Sequence, residues 1–155
     1  MDRDFIVTVF RNVKNLSEKS AQKKGLLKKN RVAIADSDGN IPEKYQRAFS
    51  KLAEENSKLE KQLDSGEVVL LKVVQAYVKE NAMGNLVFEK NNDGTQYFED
   101  VYTELLDKNF ALITKAIDAF DLKKIDDIVQ VMRDEFLTRT FSKYREYAKT
   151  LSFNK

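Results

Sequence analysis

Few of the residue types in this chain could carry catalytic chemistry. The sequence contains no histidine and no cysteine. The usual general base and the strongest side-chain nucleophile are therefore missing, and disulfides and thiolate metal sites are excluded. Carboxylates, lysines, tyrosines and hydroxyls remain. We expect a protein that is not an enzyme and that needs no cofactor.

Acidic side chains are adjacent in sequence at three places, Glu54-Glu55, Glu99-Asp100 and Asp126-Asp127. Neighbours on a helix do not face each other, so adjacency alone does not create an acid and base pair. We interpret all three pairs as solvated helix surface. The glycines lie far apart in the sequence, and this excludes a glycine-rich phosphate-binding loop.

Two loops rich in Asp, Asn and Gly surround Gly39 and Gly94 and raise the question of calcium binding. In the frame of a calcium-binding EF-hand, the first loop has Ile34 and Tyr45 where carboxylates are needed. The second loop has Gln96 where an apolar side chain should pack. Turns and helix caps explain both loops, and we expect no metal site.

Positive charge is concentrated at the two ends of the chain. Residues 1–31 hold nine Lys or Arg against three acids, and residues 136–155 hold five against one, so two basic ends flank an acidic middle. Such ends attract phosphate backbones without reading base sequence. The candidate contacts are Lys23, Lys24, Lys28, Lys29 and Arg31, with a second group at Arg139, Lys143 and Arg145.

Aromatic residues interleave with the second basic group, as in proteins that bind single-stranded nucleic acid. Two of them are Phe141 and Tyr144. The alternative is that these aromatic side chains belong to a buried helical stripe and that the cations form an ordinary solvated face. The sequence leaves both interpretations open.

The clearest pattern in the chain is a seam of residues spaced alternately by four and three positions. Most other positions nearby are charged or polar, as in a helix that packs against one or two neighbours. The polar member of the seam can fix register or oligomeric state. The seam can pack inside the molecule or against a partner, and we carry it as the candidate partner-binding surface. Its members are Tyr45, Phe49, Leu52, Asn56, Leu59 and Leu63.

The remaining periodicity predicts a mainly all-α fold, an antiparallel bundle of about five helices. The first helix is expected from Asp4 to about Lys24, although its β-branched residues could form a short strand. A connector follows to Asn40. The next helices are expected over 42–64 and 67–83, separated by a joint at Ser65-Gly66.

The second half of the chain is predicted less uniformly. Residues 86–98 could form a small β-hairpin or an irregular loop. A helix to about residue 120 follows and could break near Asn109. Asp121 is placed to cap a last helix that reaches about residue 150.

Length and composition indicate one helical domain over 1–155, with a basic segment 1–31 that could act as an arm. No stretch approaches the ~20 apolar residues of a membrane span, and we expect a cytoplasmic protein. The excess of Lys over Arg hints at an AT-rich genome such as that of a phage or virus. We expect an interaction or assembly protein that associates with a protein partner or with itself, and a nucleic-acid-binding accessory factor is the alternative.

Overall fold

The computed structural model describes residues 2–83 and 93–153. Within these ranges the chain forms helices joined by short connections, and no strand. The all-α prediction is therefore confirmed, but the described ranges contain four helices rather than about five. The helices are α1 (Arg3–Ile34), α2 (Glu43–Met83), α3 (Asp93–Asp118) and α4 (Leu122–Phe153).

The predicted interruptions at two glycines are wrong. α1 runs through Gly25 to Ile34, and α2 passes through Ser65 and Gly66 without a break. A glycine inside a helix costs only about 1 kcal/mol relative to alanine, which packing can outweigh. At Gly66 an added Cβ would lie 3.4 Å from a methyl carbon of Val13 and 3.6 Å from one of Leu16. This glycine therefore sits on the packed side of α2.

The second half of the predicted β-hairpin is helical instead, because Gln96, Tyr97 and Phe98 lie in the first turns of α3. The segment 84–92, which includes its first half, lies outside the described residues. Phe98 and Leu105 are completely buried on one helical face, and this burial outweighs the strand preference of an aromatic pair. α3 also continues past Asn109, whose side-chain amide donates to the carbonyl of Leu105 at 2.8 Å instead of breaking the helix.

The connections follow the turn chemistry that the sequence indicates. Asp36 Oδ1 accepts hydrogen bonds from the backbone N–H groups of Asp38 at 3.0 Å and Asn40 at 2.9 Å. Gly39 has a φ of 80°, a conformation that glycine adopts readily. Before α4, Asp121 Oδ1 accepts from the N–H of Lys124 at 3.0 Å, which confirms the predicted helix cap.

The described contacts fall into two compact units, one of residues 4–72 and one of residues 1–3 and 73–155. The first unit is an antiparallel hairpin of α1 and the amino-terminal part of α2. Gly66 is near Val13, and Lys23 Nζ lies 3.2 Å from Glu55 Oε2. Later residues of α1 therefore contact earlier residues of α2, as in an antiparallel pair. We call this unit the hairpin. The prediction of a single domain stays a prediction.

The second unit contains the end of α2 together with α3 and α4. α3 and α4 are antiparallel, because Glu104 pairs with Arg139 and Lys108 pairs with Glu135. Their facing sides supply the largest buried side chains of this unit, including Phe98, Phe136 and Met132. This unit therefore contains a continuous hydrophobic core.

Candidate protein-interaction surface

Burial decreases along the hairpin towards its turn. Ile6, Phe10, Val13 and Leu70 are buried near its base. Further out, the buried side chains are polar, Ser20 and Asn56. From residue 21 to residue 55 every side chain is at least partly exposed. The outer hairpin therefore consists of two packed helices without a closed core.

The predicted seam lies on the side of α2 that faces α1. Most of its apolar members are half-buried, and Asn56 is buried. Tyr45 remains 39% exposed. The seam thus packs inside the molecule, which is one of the two alternatives that the sequence left open. However, α1 covers it only in part. Binding of a partner to it stays a prediction.

Two of the hollows between α1 and α2 have volumes of about 310 Å³ each, and a third lies at the turn, where Arg31 and Ser50 contribute to its lining. In α1, Leu26 of the inner hollow lies about one helical turn before Asn30 of the outer hollow. In α2, Leu59 of the inner hollow and Leu52 of the outer hollow both belong to the seam. We call the flank of the hairpin that contains the first two hollows the lateral groove. The lining residues are Lys19, Gln22, Lys23, Leu26 and Leu59 for the inner hollow, and Asn30, Ile34, Tyr45, Ala48, Phe49 and Leu52 for the outer one.

Lysines border the lateral groove along α2. Lys44, Lys51 and Lys58 recur every seven residues and so lie along one flank of the helix. Ala48, which lines the outer hollow, is four residues after Lys44 and three before Lys51, so it neighbours both on the helix surface. Lys44 Nζ lies 4.9 Å from the ring centre of Tyr45. The apolar floor of the outer hollow therefore has a cationic border.

Asn56 is the one seam residue whose polar side chain is enclosed. Its amide nitrogen donates weakly to Glu60 Oε1 at 3.4 Å. Its Oδ1 is buried and has no hydrogen-bond partner within the described part of the chain. A buried acceptor without a donor costs about 1–3 kcal/mol. The hairpin therefore carries a destabilising group at the boundary between its buried base and its outer part.

The first group of candidate nucleic-acid contacts is mostly free. Lys24, Lys28, Lys29 and Arg31 are exposed and form no ion pair with any described residue. Lys23 differs, because it pairs with Glu55. The four exposed cations belong to the hairpin, and none of them lines either of the two hollows of the groove.

The second group of candidate contacts is mostly engaged within its own unit. Arg139 pairs with Glu104 at 2.5 Å, and this hydrogen bond raises the pKa of the arginine. The guanidinium of Arg145 lies 5.8 Å from the ring centre of Phe141. The side chain of Lys143 lies outside the described residues. The two groups belong to different units.

The adjacent acid pairs are all at least partly exposed to solvent, and each of them also contributes at least one ion pair. One member of each pair forms an ion pair with a residue far away in sequence: Glu55 with Lys23, Glu99 with Lys79, and Asp126 with Arg3. Sequence spacing gave no signal for these partners, because each one lies on a different helix from its acid.

A cluster of titratable groups in the second unit was missed by the sequence analysis. The hydroxyl of Tyr77 donates to Asp126 Oδ1 at 2.5 Å, and Arg3 donates to the Tyr77 oxygen at 2.9 Å and lies 2.8 Å from Asp126 Oδ2. Burial, followed by the hydrogen bond to Asp126, raises the pKa of Tyr77. Through these contacts the cluster connects the start of α1, the end of α2 and the start of α4.

Among residues 2–83 and 93–153, no three acidic side chains come together as a metal site would require. In the same ranges, no helix combines the length and the apolar character needed to cross a bilayer.

No family model matches the chain, and no curated protein or solved structure is significantly similar to it. The basis for a functional proposal is therefore the surface of the molecule itself. The hairpin offers the most specific features: an incompletely covered apolar seam, a groove and a cationic border.

Proposed function

We propose that this protein works by association, without catalysis and without a cofactor, and that the outer hairpin receives a protein partner or a second copy of the chain. The observation that carries this proposal is the lack of any buried side chain from residue 21 to residue 55. Helices in proteins gain most of their stability by burying an apolar face. A helical hairpin of this length with an open apolar seam is suited to bury that seam against another chain.

Exposed apolar side chains support the same location. Leu26 lines the inner hollow and is 48% exposed, and Tyr45 lines the outer one. Contiguous apolar surface on a protein typically marks an interaction site. Both side chains border the lateral groove, so a partner helix there would cover them together.

Site-specific photo-crosslinking in the native cell tests this proposal. A crosslinking amino acid at position 26 or 48 is expected to give an adduct of defined mass, which equals twice the chain mass if the partner is a second copy. The matched control is position 112 in the second unit, where Leu112 is 50% exposed and should give no defined adduct.

A substitution in the groove makes the test specific. Leu26→Glu should abolish the adduct formed from position 48, because a buried carboxylate without a partner is costly. Leu112→Glu should leave that adduct unchanged. The proposal fails if positions 26 and 48 give no adduct and light scattering reports a single chain mass at all concentrations.

We propose nucleic-acid binding as the second candidate function. The observation that favours it is the group of four exposed cations without an ion-pair partner, Lys24, Lys28, Lys29 and Arg31. Fluorescence anisotropy with labelled single-stranded RNA and DNA should then show binding that weakens steeply with salt. Lys28→Glu with Lys29→Glu should reduce the affinity more than Lys123→Glu with Lys124→Glu. No binding at low salt would end this candidate.

A further inference from the structure

We propose that the lateral groove binds an amphipathic helix of a partner protein whose flanking positions carry acidic side chains. This inference rests on the proposed association function and specifies the chemistry of the partner. It follows from the shape of the groove, the apolar character of its floor and the charge of its borders.

The dimensions of the groove suit a helix. In α1 its lining extends from Lys19 to Ile34, and this corresponds to about 22 Å along a helix axis. A partner helix of about four turns matches that length and would present an apolar residue at every third or fourth position. The floor offers apolar contacts at Leu26, Leu52 and Leu59.

The positive charge around the groove favours a partner with acidic side chains. Residues 19–58 contain ten Lys or Arg and five Asp or Glu. Lys19 lines the groove on the α1 side, and Lys44 and Lys51 border it on the α2 side. Glu55, an acid on this flank, is already paired with Lys23. Acidic positions on both sides of a partner's apolar stripe would complement these lysines, and basic positions would be repelled.

Other occupants fit these observations less well. A second copy that docked groove against groove would bring the same lysines together and would be repelled. A nucleic acid would use the lysines but would leave the apolar floor of the outer hollow exposed. A helix with an apolar stripe and acidic flanks would cover the apolar floor and would also pair with the lysines at the borders.

Two designed helical peptides provide the probes. Both contain three heptads with leucine at the first and fourth positions, and they differ only in carrying Glu or Lys at the flanking positions. Each is labelled with fluorescein and titrated with the full chain at low salt. We expect the Glu-flanked peptide to bind at least about tenfold more tightly, because it can form several exposed ion pairs with the lysines that the Lys-flanked peptide cannot form.

Charge-reversal variants locate the site. Lys44→Glu combined with Lys51→Glu and Lys58→Glu should remove or invert the preference for the Glu-flanked peptide. The control triple, Lys115→Glu with Lys123→Glu and Lys124→Glu, lies in the second unit and should leave the preference unchanged. Circular dichroism verifies helix content in both. If the groove variant loses helicity, a salt titration of the unmodified chain replaces it, and the preference should then disappear as salt rises.

The outcomes separate this inference from the proposed function. Equal affinity for the two peptides, with both lost in Leu26→Glu, would overturn the acidic partner and leave association through the groove intact. Binding of neither peptide would also overturn the inference, and the crosslinking experiment would then decide the association function alone. Displacement of the Glu-flanked peptide by labelled RNA would show that the groove serves nucleic acid instead.

Discussion

At the scale of single residues, buried asparagines in the two units differ in how well their hydrogen-bonding groups are satisfied. Asn56 keeps one buried oxygen without a donor, whereas Asn109 in α3 donates to the carbonyl of Leu105. Both are asparagines on the inner side of a helix, and sequence spacing could not distinguish them. The difference depends on which neighbouring groups reach the amide.

Asn56→Leu should stabilise the hairpin. The substitution removes a buried acceptor without a partner and places an apolar side chain in a leucine-rich seam, so we expect the free energy of unfolding to rise by about 1–2 kcal/mol. Chemical denaturation measures it. Asn15→Leu, at an exposed position of α1, is the control and should change stability little. A loss of stability in Asn56→Leu would contradict the unsatisfied state of Asn56.

Tyr102 provides a second residue-scale prediction, on alkaline stability. Burial, with a smaller contribution from the charge of Glu99, raises the pKa of Tyr102 to about 12. The neutral phenol is therefore favoured in the folded state, and its contribution is complete below the unfolded pKa of about 10. It is lost as the pH rises from about 10 to 12.

Tyr102→Phe has no phenol to ionise, so its free energy of unfolding should fall less between pH 10 and 12. The difference from the unmodified chain is up to about 3 kcal/mol, which corresponds to raising the pKa from about 10 to about 12. Denaturation of the two proteins at pH values from 7 to 12 measures this difference. Tyr97→Phe is the control, since Tyr97 is 39% exposed. If the curves of the unmodified chain and Tyr102→Phe coincide above pH 10, Tyr102 ionises without opposing the fold.

At the scale of elements, the helices could be predicted from periodicity, but their ends could not. The 3- and 4-residue spacing indicated helix over most of all four segments, and Asp121 marked the start of the last one. Gly25 and Gly66 suggested ends that the structure does not have, because a lone glycine is too weak a breaker to end a helix that packs on both sides of it. Gly39 does not end a helix but lies in the turn between α1 and α2.

The three glycines should therefore respond differently to alanine. Gly25→Ala and Gly66→Ala should each raise the free energy of unfolding by about 0.5–1 kcal/mol, because alanine favours helix and the added Cβ meets open space or ordinary contact distances. Gly39→Ala should lower it, because its φ of 80° is strained for alanine. Urea denaturation measures all three. A fall in stability for Gly25→Ala would contradict the continuity of α1.

At the scale of the whole molecule, the sequence identified the candidate surface but not its geometry. The seam was visible as a heptad pattern, and its position on the inner side of a hairpin depends on α1 extending to Ile34, which the sequence analysis did not predict. The cationic border of the groove was also missed, since Lys44, Lys51 and Lys58 were read as ordinary polar positions. Their common seven-residue interval was the signal that could have found them.

The unequal burial of the two units should appear in hydrogen exchange. Amides in residues 21–34 and 43–55 have no closed core beneath them and should exchange at least about tenfold faster than amides in the facing parts of α3 and α4. Mass spectrometry of peptides after deuterium labelling measures this. The Glu-flanked peptide should slow exchange in the hairpin only. Uniform protection of both units would contradict the open interior of the outer hairpin.

The continuity of α2 also limits how this protein can be dissected. The boundary between the two units falls between Lys72 and Val73, eleven residues before α2 ends at Met83. A truncation at that boundary would sever backbone hydrogen bonds in the middle of a helix and leave unpaired donors and acceptors at both new ends. Each fragment would have one new helix end without a cap, so dividing the chain at this point would report the damage of the cut rather than the independence of the parts.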